Sequence, residues 1–429
     1  MTASKIKQSA TMTNLDTASA RYRSPGRTAI ILLPFALGYF LSYLFRAINA
    51  VVAPNLVTEL GLSASELGLL TAAYLLAFAI FQLPLGVALD RYGPRRVQIV
   101  LLSCAALGAL GFALGRDVVT LTIARALIGL GFAGGLMSGF KAVVLWVPAP
   151  RRPLANSLVM SLGALGLMVA TAPMEYAVQA FGWRQAFGGL LAVTAAVALL
   201  IYLAVPERGN IATTAPLTEQ FRQISGIYSD RGFLALAPLL GATAGTHIAI
   251  QTLWAGPWMR DVAGLDRTGT ANALFMMAAA FFVGILGTGA IAGWFVRRKV
   301  DVLKVMAAFI AFFITAQTMI IVAPVRLAMW AWLLFGCVGQ VAILAYPWLS
   351  SHFGGALSGR ANTAMNLVIF ASAFAAQFAM GALIDLYPRT VPGGYPTEAY
   401  QFAFGTFLAL QVIALGWFFA RSPVFRPPA

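Results

Sequence analysis

The chain has 429 residues, of which 60% are hydrophobic and only 10% charged. Soluble globular chains carry about 25% charged residues, so this composition excludes an ordinary soluble enzyme, a disordered protein and a collagen-like fibre. A net charge of +15 would point to nucleic acid in a soluble chain. In a membrane chain, basic cytoplasmic loops supply it, and no nucleic-acid partner is expected.

Residues 1–27 are polar and lack the apolar core of a signal peptide; they read as a disordered cytoplasmic tail. A helix that crosses a bilayer needs about 20 mostly apolar residues. Twelve stretches qualify: 28–53, 66–89, 98–115, 118–147, 154–174, 185–205, 233–258, 269–295, 303–323, 327–349, 361–386 and 399–420. The polar segment 206–232 is the longest internal loop. The expectation is an all-α integral membrane protein of twelve transmembrane helices. A bundle over 28–205 and a second over 233–420 are joined by a cytoplasmic loop, and 421–429 form a short cytoplasmic tail. Six arginines fall on one side (Arg116, Arg184, Arg260, Arg267, Arg326 and Arg389), three basic residues fall within spans, and the other 20 of the 29 fall on the opposite side. By the positive-inside rule both termini are cytoplasmic, in a bacterial inner membrane.

Span one carries a charge at depth. Tyr39, Tyr43 and Arg46 are spaced i, i+4, i+7 and share one helical face. A guanidinium between two phenols suits the oxygens of a carboxylate or phosphate; the competing reading is an arginine snorkelling to the interface. The loop after span two reads Gly86-Val-Ala-Leu-Asp90-Arg91-Tyr92-Gly93-Pro94-Arg95-Arg96. A similar loop follows span eight, where Gly289 and Arg298-Lys299 meet Gly86 and Arg95-Arg96 after a shift of 203 residues. An internal duplication follows, with Asp90 replaced by Gly293 in the second copy. Span four holds Arg125, whose tilt favours the outer surface and a structural role, and Lys141, which points either to the membrane middle or out to the cytoplasmic face.

None of the fourteen acids falls at mid-depth. Arg46 and Lys141 therefore lack an evident counter-ion. Unpaired buried charge is unfavourable, so an anionic ligand becomes the natural partner and a cationic one is disfavoured. In span seven, His247, Gln251, Trp254 and Trp258 fall on one stripe at i, i+4, i+7, i+11. His247 could carry a coupling proton or hydrogen-bond a substrate; a packing histidine is the other reading. His352 sits in a cytoplasmic loop and reads as solvated. Gln317, Gln340, Tyr346, Asn366 and Gln377 are further polar groups within spans. Cys104 and Cys337 stand far apart, and no Cys-based zinc site, other metal-ligand cluster, nucleotide-binding loop or catalytic triad is visible. No enzyme activity, cofactor or metal is expected.

The loop G-x-x-x-D-R-x-G-x-R-R at 86–96 resembles the defining motif of the major facilitator superfamily. Arg125-x-x-x-Gly129 resembles its second motif, and Gly182-Trp183-Arg184 is also frequent there. The resemblance covers nearly the whole chain and implies a secondary transporter with two six-helix bundles rocking about a central site. It implies gating by Gly86, Asp90, Arg91, Gly93, Arg95 and Arg96, with Asp90 accepting hydrogen bonds from helix ends and pairing with Arg91, Arg95 or a basic group of the other half. Tyr-x-x-Arg-x-x-Asn in span one, with Leu60-Gly-Leu-Ser-Ala-Ser-Glu66, resembles the organic-anion and organophosphate permeases, in which the span-one arginine binds the anion. Two departures stand out: Phe132 occupies a glutamate position of some proton symporters, and His247 and Gln251 stand where phosphate-ester antiporters have an arginine.

The expected function is thus uptake of a small anionic metabolite by proton symport or exchange, carried out by a monomer in the lipid bilayer. Arg46, Tyr39, Tyr43, Lys141, His247, Gln251 and Trp254 are the expected substrate contacts. The alternative is a carrier of a neutral or aromatic compound such as a vitamin or drug.

Overall fold

The computed structural model describes residues 25–148, 151–207, 225–390 and 394–422. Residues 1–24 of the expected N-terminal tail, most of the central loop and the last seven residues lie outside the described residues; residues 25–27, expected in the tail, begin the first helix instead. Within them the chain is helical throughout.

Ten helices are long and apolar enough to cross a membrane, and a bent pair makes an eleventh span. One of the ten, Ala64–Leu114, has 51 residues. At 1.5 Å per residue it would be about 76 Å long, more than twice the roughly 30 Å of a bilayer core. It is instead two spans, because Gly93 leaves helical geometry at φ 75°, ψ 164°. That conformation belongs to glycine. The twelve expected spans are therefore present among the described residues.

We number the spans α1–α12. Pro25–Ala47, continued by Asn49–Leu60 beyond Ile48, forms α1. The two parts of Ala64–Leu114 are α2 and α3. Val118–Phe132 with Gly135–Trp146 is α4, Arg152–Val169 with Ala172–Phe181 is α5, and Trp183–Ala204 is α6. In the second half, Arg231–Ala249, a π-helical turn Ile250–Trp254 and Ala255–Asp261 make α7. Arg267–Arg297 is α8 and Val302–Val322 is α9. Val325–Gly354 is α10, Leu357–Ile384 is α11 and Thr397–Arg421 is α12. A non-helical Gly354 at φ 73° separates α10 from α11, as Gly93 separates α2 from α3.

The acids sit at helix ends for a local reason. Ser63 and Glu66 form a reciprocal cap on α2. Asp117, Asp230, Asp266 and Asp301 accept backbone N–H groups at the starts of α4, α7, α8 and α9. Carboxylates there satisfy orphan amides and oppose the helix dipole, which leaves the membrane interior short of negative charge.

Breaks recur at matching places in the two halves. Ile48 interrupts α1 and the π turn interrupts α7; Ala133–Gly134 interrupts α4 and Gly339–Gln340 interrupts α10. These are the depths at which irregular backbone can line an internal cavity without facing lipid. The two halves meet along α2 and α11, where the Phe78 and Phe370 rings lie 4.2 Å apart, and along α1 and α7, where Gly256 packs on the Ala50 carbonyl.

Candidate functional site

A cavity of about 100 Å³ lies between the halves, several times the roughly 10–15 Å³ that a single water needs. Tyr39, Tyr43, Arg46 and Gln82 line it from the first half; His247, Gln251, Gln340, Tyr346 and Asn366 line it from the second. Five of the seven expected substrate contacts are thus brought together: Tyr39, Tyr43, Arg46, His247 and Gln251.

Arg46 is the centre of this site. Its guanidinium carbon lies 4.5 Å from the Tyr43 ring centroid, 4.9 Å from Phe370 and 5.4 Å from Phe78. Each ring within about 6 Å attracts the cation. Arg46 is 7% exposed and its Nε has no hydrogen-bond partner. The snorkelling alternative does not apply, since rings from α1, α2 and α11 enclose the head group. A guanidinium fork that keeps a free N–H can grip carboxylate oxygens there.

The second half supplies neutral donors. His247 is 2% exposed, with Phe281, Phe313 and Phe335 around it at centroid distances of 5.1–5.8 Å. Its Nε2 and the Nε2 of Gln251 have no hydrogen-bond partner. A Cβ at Gly339 would collide with the imidazole, so the break in α10 is also what admits His247. Gln340 donates from Nε2 to the Tyr43 hydroxyl at 3.1 Å, bridging the halves. Tyr346 donates to Asn366 Oδ1. Gln82 donates to the free Ala133 carbonyl at the α4 break at 3.1 Å; it was not singled out from sequence, although it is an isolated amide in an apolar span.

Two expectations about the cavity are corrected. Lys141 is not among its lining residues: Nζ lies 2.6 Å from Asp90 Oδ1, near the end of α2. Both side chains are about two-fifths exposed, so the long stem of the lysine carries its charge to the wetter end of the helix, where an acid waits. Lys141 therefore has a protein counter-ion after all. Trp254 is also elsewhere. The π turn at Ile250–Trp254 takes more residues per turn than an α-helix, so the 3.6-residue stripe holds through Gln251 and fails beyond it. The Trp254 indole donates to the Gln377 carbonyl at 3.0 Å, and Trp258 packs against Trp332. Gln317 and Gln377 are likewise engaged in packing, to Phe404 and Gln411 and to Thr252 and Trp254.

Arg125 is fully buried rather than turned to the outer surface. It donates to the Phe45 carbonyl at 2.8 Å, one residue from Arg46, while Gly129 admits the Tyr74 backbone. The second motif thus docks α4 on α1 and α2. Trp183 and Arg184 of the third motif both donate to Glu59 at the end of α1.

Polar contacts differ between the two faces. On the face away from the termini, Asp385 at the end of α11 accepts from Ala64 N (3.0 Å), Ser65 N (2.7 Å), the Ser65 hydroxyl and the Tyr395 hydroxyl. Burial raises the Asp385 pKa, but the donors from Ser65, Tyr395 and Ala64 outweigh it and hold the carboxyl below its ordinary value. Arg389 reaches the Leu62 carbonyl, and Arg267 reaches Glu175 at 2.9 Å and Asn55 at 2.8 Å. All of these except the Tyr395 bond cross between halves. On the Asp90 face the ion pairs Lys141–Asp90, Arg96–Glu207 and His352–Asp230 each stay within one half. Arg95 similarly bonds the Tyr202 carbonyl and lies 3.6 Å from Glu207, and Arg91 lies over Tyr92. In this structure Asp90 pairs with Lys141, a partner from its own half that the sequence reading did not assign to it. His352, expected to be merely solvated, pairs with Asp230 and stacks on Trp348.

A sequence model of the Major Facilitator Superfamily matches residues 35–377. The "Probable sulfoacetate transporter" of Cupriavidus necator is 30% identical over 193 residues, 44% of this chain and 45% of that protein. The "Probable L-galactonate transporter" of Escherichia coli is 24% identical over 390 residues, 86% of this chain and 85% of that protein. Among solved structures, a bacterial homologue of the human lysosomal transporter Spinster, inward-facing and occupied, superposes with a TM-score of 0.74 at 17% identity, over 95% of this chain and 100% of that one.

Proposed function

The chain belongs to the Major Facilitator Superfamily, and from that premise we propose that it transports a small organic anion by alternating access, with Arg46 as the anion's anchor. One observation carries this reading: a buried guanidinium with an unpartnered Nε lines a cavity between the halves, and no carboxylate is among the described lining residues. An anion supplies what the protein does not. Relatives named for sulfoacetate and L-galactonate transport support the same class. The contacts that cross the Asp385 face, set against the pairs Lys141–Asp90, Arg96–Glu207 and His352–Asp230 that each stay within one half on the Asp90 face, support a cavity that exchanges with the Asp90 side in this state. Basic-residue placement supports a cytoplasmic Asp90 side in a bacterial inner membrane, with both termini there. In the opposite state, Asp90, Arg91, Arg95 and Arg96, with the turn at Gly86 and Gly93, take the gating role. We further propose uptake by proton symport or by exchange, performed by a monomer.

The test is thermal stabilisation of purified protein by a panel of carboxylates, sulfonates, phosphate esters, neutral vitamins and cationic dyes. Stabilisation by an anion that is lost in folded Arg46→Gln protein supports the reading. Stabilisation only by neutral or cationic compounds, unchanged in the variant, overturns it and favours the alternative carrier of neutral or aromatic compounds, for which the Tyr43, Phe78, Phe281 and Phe370 walls are suited.

A further inference from the structure

The charges that face the cavity are few. Arg46 contributes one positive charge, and Lys141 is spent on Asp90. The other titratable lining groups are the phenols of Tyr39, Tyr43 and Tyr346 and the imidazole of His247. Phenols and guanidinium groups ordinarily titrate well above pH 8 and imidazole near 6.5, so the His247 imidazole is the lining group whose ordinary range lies nearest physiological pH.

The surroundings of His247 make that change conditional. From α8, α9 and α10 the groups against it are Phe281, Phe313 and Phe335, none of them titratable, with Gly339 closing the remaining side. On its own helix the nearest lining groups are Ile248, Gln251 and Thr252; across the cavity stand Tyr43 and Arg46. A second positive charge here would have no acid among the described lining residues to balance it and would share the cavity with Arg46. Desolvated charge without a partner is strongly unfavourable. A ligand with one negative charge is satisfied by Arg46 alone. A ligand with two would leave its second charge without a positive partner unless the imidazole of His247, a lining residue, is protonated.

We propose that the cavity counts charges: it accepts singly charged anions without a proton, and doubly charged anions only together with a proton on His247. This deepens the anion reading and rests on it. The proton comes from water on the open side, binds the imidazole, and leaves with the ligand. A dianion is then moved with one proton and a monoanion with none.

Calorimetric titration of the full-length protein in detergent tests this at pH 6 and pH 8. The probes are two matched pairs, galactonate with galactarate and benzoate with terephthalate, each differing by one carboxylate. Carboxyls ordinarily titrate near 4, so the probes keep their charge across this range. Expected are monoanion affinities that agree within about twofold between the two pH values and dianion affinities that rise on acidification by up to about tenfold per pH unit, the limit for one linked proton. Buffers of different ionisation enthalpy should report up to one proton taken up per dianion at pH 8 and none per monoanion. In His247→Gln the dianion's pH dependence should flatten to that of the monoanion. The proton count in wild type keeps the test alive if that variant does not fold. A dianion that binds at pH 8 as tightly as its monoanion, binding without proton uptake, or pH dependence that survives in His247→Gln overturns the proposal while leaving Arg46 as anion anchor. Failure of both pairs at both pH values, alongside binding of neutral compounds, defeats the anion reading itself.

Discussion

Lys141 Nζ lies 2.6 Å from Asp90 Oδ1, joining the last part of the first half's fourth span to the end of its second. The pair closes a contact inside one half, and with it Lys141 leaves the cavity to Arg46. Because both groups are about two-fifths exposed, water solvates either one when its partner is removed. We expect Lys141→Gln and Asp90→Asn each to change stability by less than about 1 kcal/mol yet to slow transport in proteoliposomes, Asp90→Asn the more because it also removes the proposed gating acid. Loss of folded protein in either variant, or wild-type transport rates in both, would count against this division of labour.

Gly339 makes room for the His247 imidazole, and the two are expected to behave as one unit. Gly339→Ala should destabilise by about 1–3 kcal/mol through overpacking. Adding His247→Ala should recover part of that loss, because the smaller side chain vacates the space. Thermal unfolding of the two single variants and the double variant gives the coupling energy; additive effects would mean the glycine serves another purpose.

Asp385 is expected to act as a latch on the face away from the termini, holding the start of α2. Its carboxyl sits below the ordinary range because donors from Ser65, Tyr395 and Ala64 outweigh its burial. A depressed pKa contributes stability that is full above the unfolded value, near 3.9, and is lost as pH falls through the lower folded value. The latch should therefore be indifferent to pH between 5 and 8. Asp385→Asn should weaken it by about 1.5–3 kcal/mol, the range for hydrogen bonds to a charged group. Maleimide labelling of Thr58→Cys, in a background without Cys104 and Cys337, should then speed up about tenfold or more. Thr58 lines the 390 Å³ vestibule next to the latch. Unchanged labelling would show that Arg267 and Arg389 hold this face without Asp385.

Trp254 tests the π turn. If its indole serves packing, Trp254→Phe should lose the bond to the Gln377 carbonyl and about 0.5–1.5 kcal/mol of stability. The stabilisation given by a bound anion should stay the same. A variant with normal stability and lost ligand response would restore Trp254 to the cavity.

Much of this architecture was legible in the residues. Lipid demands long apolar runs, so twelve spans could be counted directly, and a straight helix kept Tyr39, Tyr43 and Arg46 on one face. Trp254 was misplaced because the π turn changes the rotation per residue, and nothing in Ile250–Trp254 announces it. Lys141 was misplaced because helical tilt sets where a side chain starts and a long flexible stem decides where it ends. Partners far apart in sequence, such as Gly339 with His247 or Asp385 with Ser65, follow from packing between helices, which periodicity along one helix does not encode. The aromatic enclosure of Arg46 was half visible: Tyr43 is on its own helix, while Phe78 and Phe370 arrive from α2 and α11.

The central claim is that Arg46 holds an anion between the two halves. Counterflow in proteoliposomes preloaded with a mixture of galactonate, galacturonate, sulfoacetate and 4-hydroxybenzoate tests it most directly, with wild-type and Arg46→Ala protein compared at equal insertion. The account predicts accumulation of at least one labelled anion by wild type and loss of about tenfold or more in the variant, because a buried charge-assisted contact contributes about 1.5–3 kcal/mol. Equal accumulation by both proteins would contradict it.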